Sequence, residues 1–330
     1  MGILLTLLLT RVLLALVGCQ KNDLGNEFAK ADSVITFAPS VAVTGNFATK
    51  GTLINTTGSD KTLTEIGEFT VSAWDNSATP VNIIPAGSKV LSRNSGAYWI
   101  TVNGSNQDKE YLWKKNETKT FYAYANLPTT TGAAGITNST ATGQVLTYDV
   151  SNVATDSLQT DILMAYYSSS APNNGLVPLK FYHPLTSVVF KQSDDFAEDV
   201  TIKSISIEGV YASGKTTQTA STGTNFVWTK TDGSAFAKAD ETQTVSLGSV
   251  TVDAETKQLG GALLLIPQNF ASDGNARIKV VLNYRAGDLT LYYPLAGATW
   301  KAGCTNAYVI NFTDGKLSIE ELDKYNGCSL

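Results

Sequence analysis

The side chains able to do chemistry in this 330-residue chain are few: one histidine, His183, three cysteines, Cys19, Cys304 and Cys328, and two adjacent acid pairs, Asp194/Asp195 and Glu320/Glu321. An imidazole can act as a general base, and a thiol can be acylated, oxidised to a disulfide or bound to a metal. With a single histidine, any arrangement of nucleophile, base and acid would have to be built on His183. It lies in Leu179-Lys180-Phe181-Tyr182-His183-Pro184-Leu185, beside an apolar alternation and ahead of a proline, and reads as a packed structural residue. The acid pairs sit in polar stretches and read as solvated surface charge. No glycine-rich phosphate loop follows a strand and opens a helix, and no CxxC or His/Cys cluster has metal-ligand spacing. No catalytic residue, metal site or cofactor is therefore expected. The aromatics Tyr98, Trp99, Trp113 and Trp228 could stack on sugars or pack in cores, and an aromatic content of 9% fits core packing.

Cys19 ends the apolar run Met1 to Gly18. Were that run a membrane span, Arg11 would sit near the bilayer centre at a cost of roughly 2.5–3.5 kcal/mol. A helix docked on a core is a second alternative, but the run has no amphipathic period. Leu16-Val17-Gly18-Cys19 resembles the lipobox of bacterial lipoproteins. That resemblance implies cleavage between Gly18 and Cys19, with acylation of the Cys19 thiol and an anchor in the outer membrane. The remaining pair, Cys304 and Cys328, is an even number in an exported chain, so a disulfide closing the C-terminal segment and two free thiols both remain open.

The elements that would position these residues are strands. In Glu68–Trp74, Phe69, Val71 and Ala73 alternate with polar neighbours, and in Arg277–Tyr284 the residues Ile278, Val280, Leu282 and Tyr284 share one face. The second run continues through Arg285-Ala286-Gly287-Asp288 into Leu289–Tyr293, a hairpin by pattern and turn chemistry. Further runs at Val34–Phe37, Lys119–Ala125, Val145–Val150, Leu179–Phe181, Ser187–Lys191, Ile202–Val210, Thr244–Leu247 and Tyr308–Phe312 read alike. Gly261–Pro267, apolar on both faces, predicts a central strand. One helix is expected, at Ser318–Gly327, from the capping-box spacing of Ser318 and Glu321.

Short strands separated by Gly, Ser, Thr and Asn predict an all-β chain of β-sandwiches. The turn-rich Ser168–Gly175 segment suggests a division into 34–170 and 171–330, after a leader over 1–18 and a linker over 19–33. Charged residues make up only 16% of the chain, net charge is −5 and the isoelectric point is near 5.0. An acidic, weakly charged surface argues against nucleic acid and anionic membrane surfaces as partners.

Thr160-Asp161-Ile162-Leu163-Met164-Ala165, followed by Gly175–Phe190 with His183 at its centre, resembles the central signature of the fimbrillin family of Gram-negative anaerobes. Leu264-Leu265-Ile266-Pro267-Gln268, Trp300-Lys301-Ala302-Gly303 and Tyr308–Phe312 are similar to its late strands, and Val34–Phe37, Phe69–Trp74 and Phe121–Ala125 to its earlier ones. The resemblance implies two transthyretin-like β-sandwiches in tandem, a structural histidine, and a fimbrial subunit exported as a lipoprotein. It also implies assembly with other subunits by strand exchange after a protease cuts behind a basic residue. Ala48-Thr49-Lys50-Gly51 offers such a position at Lys50 and Gly51, although an uncut loop lysine is the alternative. Location on the outer membrane and in the fimbrium follows, as do an adhesive role toward host or bacterial surface ligands and a tip, anchor or accessory position. A surface lipoprotein that binds glycans without polymerising is the competing function.

Overall fold

The computed structural model describes residues 32–321 apart from 43–60, 63–66, 94–97, 115, 171–173, 224, 237–241, 249, 271–273 and 286. The leader, Gly18, Cys19, Lys50, Gly51 and Cys328 thus lie outside the described residues. Those described form an almost entirely β molecule, with two short 3-10 turns at Val150–Val153 and Asp156–Leu158.

One sheet of eight strands runs in the order Leu176–Tyr182, Leu163–Ser169, Lys119–Ala125, Glu68–Asp75, Asn82–Arg93, Tyr98–Thr101, Thr36–Val41 and Lys61–Thr62. A further pairing of Thr36–Val41 with Leu176–Tyr182 closes seven of these strands into a ring, leaving Lys61–Thr62 outside. Two-layer packing is thus achieved here by one sheet wrapped around its own core. The alternation read from the sequence fills that core: Phe69, Val71 and Ala73 point inward with Phe37, Phe121, Leu163, Val177, Leu179 and Phe181.

A second core lies among three further sheets. Leu259, Leu263 and Leu265 come from the sheet ordered Gln258–Leu265, Thr186–Gln192, Thr305–Thr313, Lys316–Glu321. Ile205, Ile207, Ile278, Val280 and Leu282 come from the sheet Thr242–Ser246, Thr201–Tyr211, Arg277–Tyr284, Gly287–Pro294. The third sheet, Trp228–Thr229, Ser213–Gln218, Gly143–Asp149 and Ala134–Thr140, adds Leu146, Tyr148 and Trp228. It also covers the outside of the ring: Ser72 and Ser139 hydroxyls meet at 2.6 Å, and the Gln144 amide donates to the Ala123 carbonyl at 3.0 Å and to Gln218 at 2.8 Å.

Three expectations change. Strands Ala134–Thr140 and Gly143–Asp149 serve the second core although they precede residue 170, and Leu176–Tyr182 closes the ring although it follows it. The cores therefore do not separate at 170/171. Gln258–Leu265 is an edge strand rather than a central one. Its outer backbone groups are taken near its start by the backbone of residues 251–253, with Gly260 N donating to Thr251 O at 3.2 Å, and further along by side chains: Asp156 accepts from Gly261 N at 2.6 Å, Gln159 accepts from Leu264 N, and the Tyr148 hydroxyl donates to Leu264 O at 2.9 Å. That capping lets an edge strand be apolar on both faces. Finally, Lys316–Glu321 is a strand, not the start of a helix, paired in a hairpin with Thr305–Thr313 about Asp314 and Gly315, which hold φ of 53° and 76°. Ile319 opposite Ile310 buries apolar surface that a solvated helix would expose.

Candidate functional site

The feature that stands apart is the seat of the strand Thr36–Val41. Peptide N–H groups alternate sides along a strand. Thr36 N donates to Gly175 O at 3.0 Å and Ala42 N to Phe181 O at 2.7 Å, while Ile35 N donates the other way, to Tyr111 O at 2.8 Å. Toward Leu176–Tyr182 the strand runs parallel, in register from Thr36 opposite Leu176 to Val41 opposite Phe181. Toward its other neighbours the pairing among the described residues is sparse: Phe37 opposite Trp99, and Ser40 and Val41 opposite Thr62 and Lys61. Pro39 falls on that sparse side, where it has no N–H to give.

Ile35, Phe37, Pro39 and Val41 point inward and are buried, while Ala38 is exposed. The Phe37 ring meets Phe69 at 5.6 Å and Phe121 at 6.1 Å, both edge to face, a preferred aromatic geometry. Phe69 in turn packs on Phe181 at 5.3 Å and Trp99 at 5.7 Å. Burial of each large apolar side chain is worth roughly 1.5–3 kcal/mol, so this one strand supplies a substantial part of the ring's stability. Gly175, at the entry to the closing strand, has φ 78°, and a Cβ there would lie 2.0 Å from the Val34 carbonyl oxygen. Only glycine lets the two chains approach so closely.

His183 follows the closing strand and is 4% exposed; its Nδ1 lies 2.8 Å from Oδ1 of Asp161, itself 1% exposed. Its Nε2 is buried without a hydrogen-bond partner among the described residues. A residue so enclosed cannot reach a substrate from solvent, which agrees with a structural part for it. The Trp228 Nε1 proton next to it is given to Pro184 O at 2.8 Å. Asp194 and Asp195 are exposed, as is Glu320 with Glu321 on the last strand. Burial removes the sugar-stacking alternative for three of the aromatics: Trp99 and Trp113 are buried in the ring and Trp228 in the second core, while Tyr98 is half-buried. Apolar neighbours on the inner faces claimed these rings before solvent could. Cys304 is disulfide-bonded, which removes the free-thiol alternative for it; its partner lies outside the described residues.

Sequence reasoning placed a strand at Val34–Phe37 and the alternation of Phe69, Val71 and Ala73, but it stopped short of Pro39 and Val41 and missed the closure of the ring. The parallel pairing of residues 36–41 with 176–181 joins segments far apart in the chain, and no local pattern encodes it.

A family model described as fimbrillin-like matches residues 55–323. Among solved structures, the chain is similar to a protein of Bacteroides ovatus ATCC 8483 provisionally assigned to cell adhesion, with 17% identity, a TM-score of 0.57, and coverage of 89% of this chain and 97% of the other. A protein of Bacteroides uniformis ATCC 8492 with the same provisional assignment gives 12% identity, a TM-score of 0.54 and coverage of 88% and 96%. The tip fimbrial protein Mfa3 of Porphyromonas gingivalis, truncated at its C-terminus, is matched at 9% identity and a TM-score of 0.44, over 88% of this chain and 98% of that one. No curated protein matches.

Proposed function

Since the chain belongs to the fimbrillin-like family, we propose that it is a structural subunit of a fimbrium, exported as a lipoprotein and assembled by protease-triggered strand exchange. Cys19 carries the lipid after cleavage at Gly18, holding the precursor on the outer membrane. Cutting between Lys50 and Gly51 frees the segment that includes Thr36–Val41. A strand from another subunit then takes its seat, and an adhesive role at a tip or accessory position follows from the surface location. The two cores, centred on residues 34–170 and 171–330 with three strands exchanged between them, are the two domains of the subunit. Cys304 pairs with Cys328 and ties the tail to the second core.

The observation that carries this reading is the seat itself. One strand, separated in sequence from the rest of its sheet by the segment that holds Lys50, is bonded along one edge and, among the described residues, sparsely along the other. Unpaired edge groups and an emptied apolar groove are costly, so a vacated seat would recruit a new strand.

The test starts from lipid-free protein beginning after Cys19, treated with a trypsin-like protease in the presence and absence of co-expressed partner subunits. A cut after Lys50 followed by a shift from monomer to polymer or hetero-complex is the expected outcome. A chain cut after Lys50 that stays monomeric even with partner subunits present overturns the reading.

A further inference from the structure

Whatever fills the seat must match what the resident strand leaves behind. The vacated groove would offer inward positions now held by Ile35, Phe37, Pro39 and Val41, the second of them walled by the edge-to-face rings of Phe69 and Phe121. All four are apolar, at strict two-residue spacing.

The obvious occupant is the last strand of a second copy, Lys316–Glu321, the outermost strand of its sheet. Its inward residues are Leu317 and Ile319, set opposite Phe312 and Ile310. The same face then continues into Glu321, Asp323 and Tyr325, and is preceded by Gly315. Placing Leu317 at the Ile35 position sets Glu321 at the Pro39 position and Asp323 at the Val41 position. Placing Leu317 at the Phe37 position sets Gly315 at Ile35 and Glu321 at Val41. Placing it further along moves Gly315 into the aromatic seat or beside it. The opposite face, Lys316, Ser318, Glu320, Leu322 and Lys324, is worse. No register across Lys316–Leu330 offers four apolar residues in alternation, and none that seats Leu317 or Ile319 also puts an aromatic at the Phe37 position. A carboxylate forced into the buried Pro39 or Val41 position would be enclosed without a partner, the costly case for a charge.

We therefore infer, resting on the strand-exchange reading, that this subunit is an acceptor whose partner is a segment with four alternating apolar residues, an aromatic at the second, and not the Lys316–Glu321 strand of another copy. Pro39 adds a discriminating detail. A partner with a residue other than proline at the third position brings an N–H on the sparse side that the resident strand lacks. Such a segment can replace the resident strand at no loss of ladder bonds.

The test uses the full chain with a specific protease recognition sequence inserted after Lys50, cut, and then exposed to biotinylated peptides both natively and on refolding from urea after the short fragment has been removed. The probes are residues 32–43, the same peptide with Phe37→Ala, the same with Pro39→Val, and residues 314–330. Native mass spectrometry and competition give relative affinities. Capture of the 32–43 peptide and its Pro39→Val form, with the 314–330 and Phe37→Ala peptides at least about tenfold weaker, a difference of about 1.4 kcal/mol, is the expected result. Equal or better capture of 314–330 overturns the selectivity while leaving strand exchange intact. Capture of no peptide under either condition overturns the strand-exchange reading and the selectivity with it.

Discussion

At the scale of single residues, the contact with the largest consequence is the buried pair of Asp161 and His183. With its proton on Nδ1, the imidazole donates to the carboxylate across 2.8 Å in a place where neither group is solvated. Asp161 also anchors the neighbouring loop, its carbonyl accepting from the Asn126 amide at 2.9 Å. Breaking one side of a buried pair leaves the other uncompensated. Asp161→Ala should therefore lower stability by about 3 kcal/mol in urea titration. Asp161→Asn, which still offers an acceptor, should lose clearly less. Equal losses would mean that packing, not the hydrogen bond, holds His183 in place. That this histidine is structural was readable from its apolar setting, but its partner 22 residues upstream was not.

At the scale of elements, edges are the governing problem. The free side of Gln258–Leu265 is covered by side chains of the connecting stretch 148–159, with the two Asp156 oxygens on Gly248 N and Gly261 N, each at 2.6 Å. Substituting Asp156→Ala removes both acceptors at once. Because Asp156 is partly exposed, water recovers part of the loss, and the expected cost is about 1–2 kcal/mol, measured by thermal or urea unfolding. The uncovered edge should also raise the tendency to aggregate, as light scattering would register; an unchanged midpoint would mean the cap is dispensable. Elements with a clear alternation were legible from sequence, Lys119–Ala125 to the residue and Arg277–Tyr284 with its hairpin partner nearly so. Asn82–Arg93 was not, since Pro85 and Gly87 interrupt it. Ser213–Gln218 and Ala134–Thr140 were hidden for a different reason. Ser213–Gln218 reads Ser-Gly-Lys-Thr-Thr-Gln, without an apolar side chain, and Ala134–Thr140 offers only Ala134 and Ile136; toward the ring their sheet makes polar contacts through Ser139 and Gln144. Capping-box spacing misled at Ser318 because hairpin pairing across Asp314 and Gly315 outweighs a local helix preference.

For the whole molecule, three buried tyrosines have ionisation that folding opposes: Tyr148 and Tyr308 in the second core, and Tyr122 on the ring strand Lys119–Ala125. Tyr122, 1% exposed with its hydroxyl unpartnered among the described residues, is pushed up to about 12 by burial and by nearby Tyr166. Burial likewise raises Tyr148 and Tyr308. The unfolded chain loses these protons near pH 10, while the native chain keeps them. Below that pH their contribution is fully present, and it falls as pH rises toward the native values. The urea midpoint should hold steady up to about pH 9 and then decline steeply. Tyr122→Phe, which lacks the ionising group and leaves no partner behind, should flatten the decline. A midpoint indifferent to alkali would show that these hydroxyls reach solvent.

The parallel seating of Thr36–Val41 has a mechanical side. Six successive residues stand opposite Leu176–Phe181 in one register, so tension applied along the strand axis loads every rung together instead of peeling them from one end. A strand held that way resists sliding as a unit. If a partner's strand took the same seat, as proposed above, the joint would be strongest under load along the strand axis.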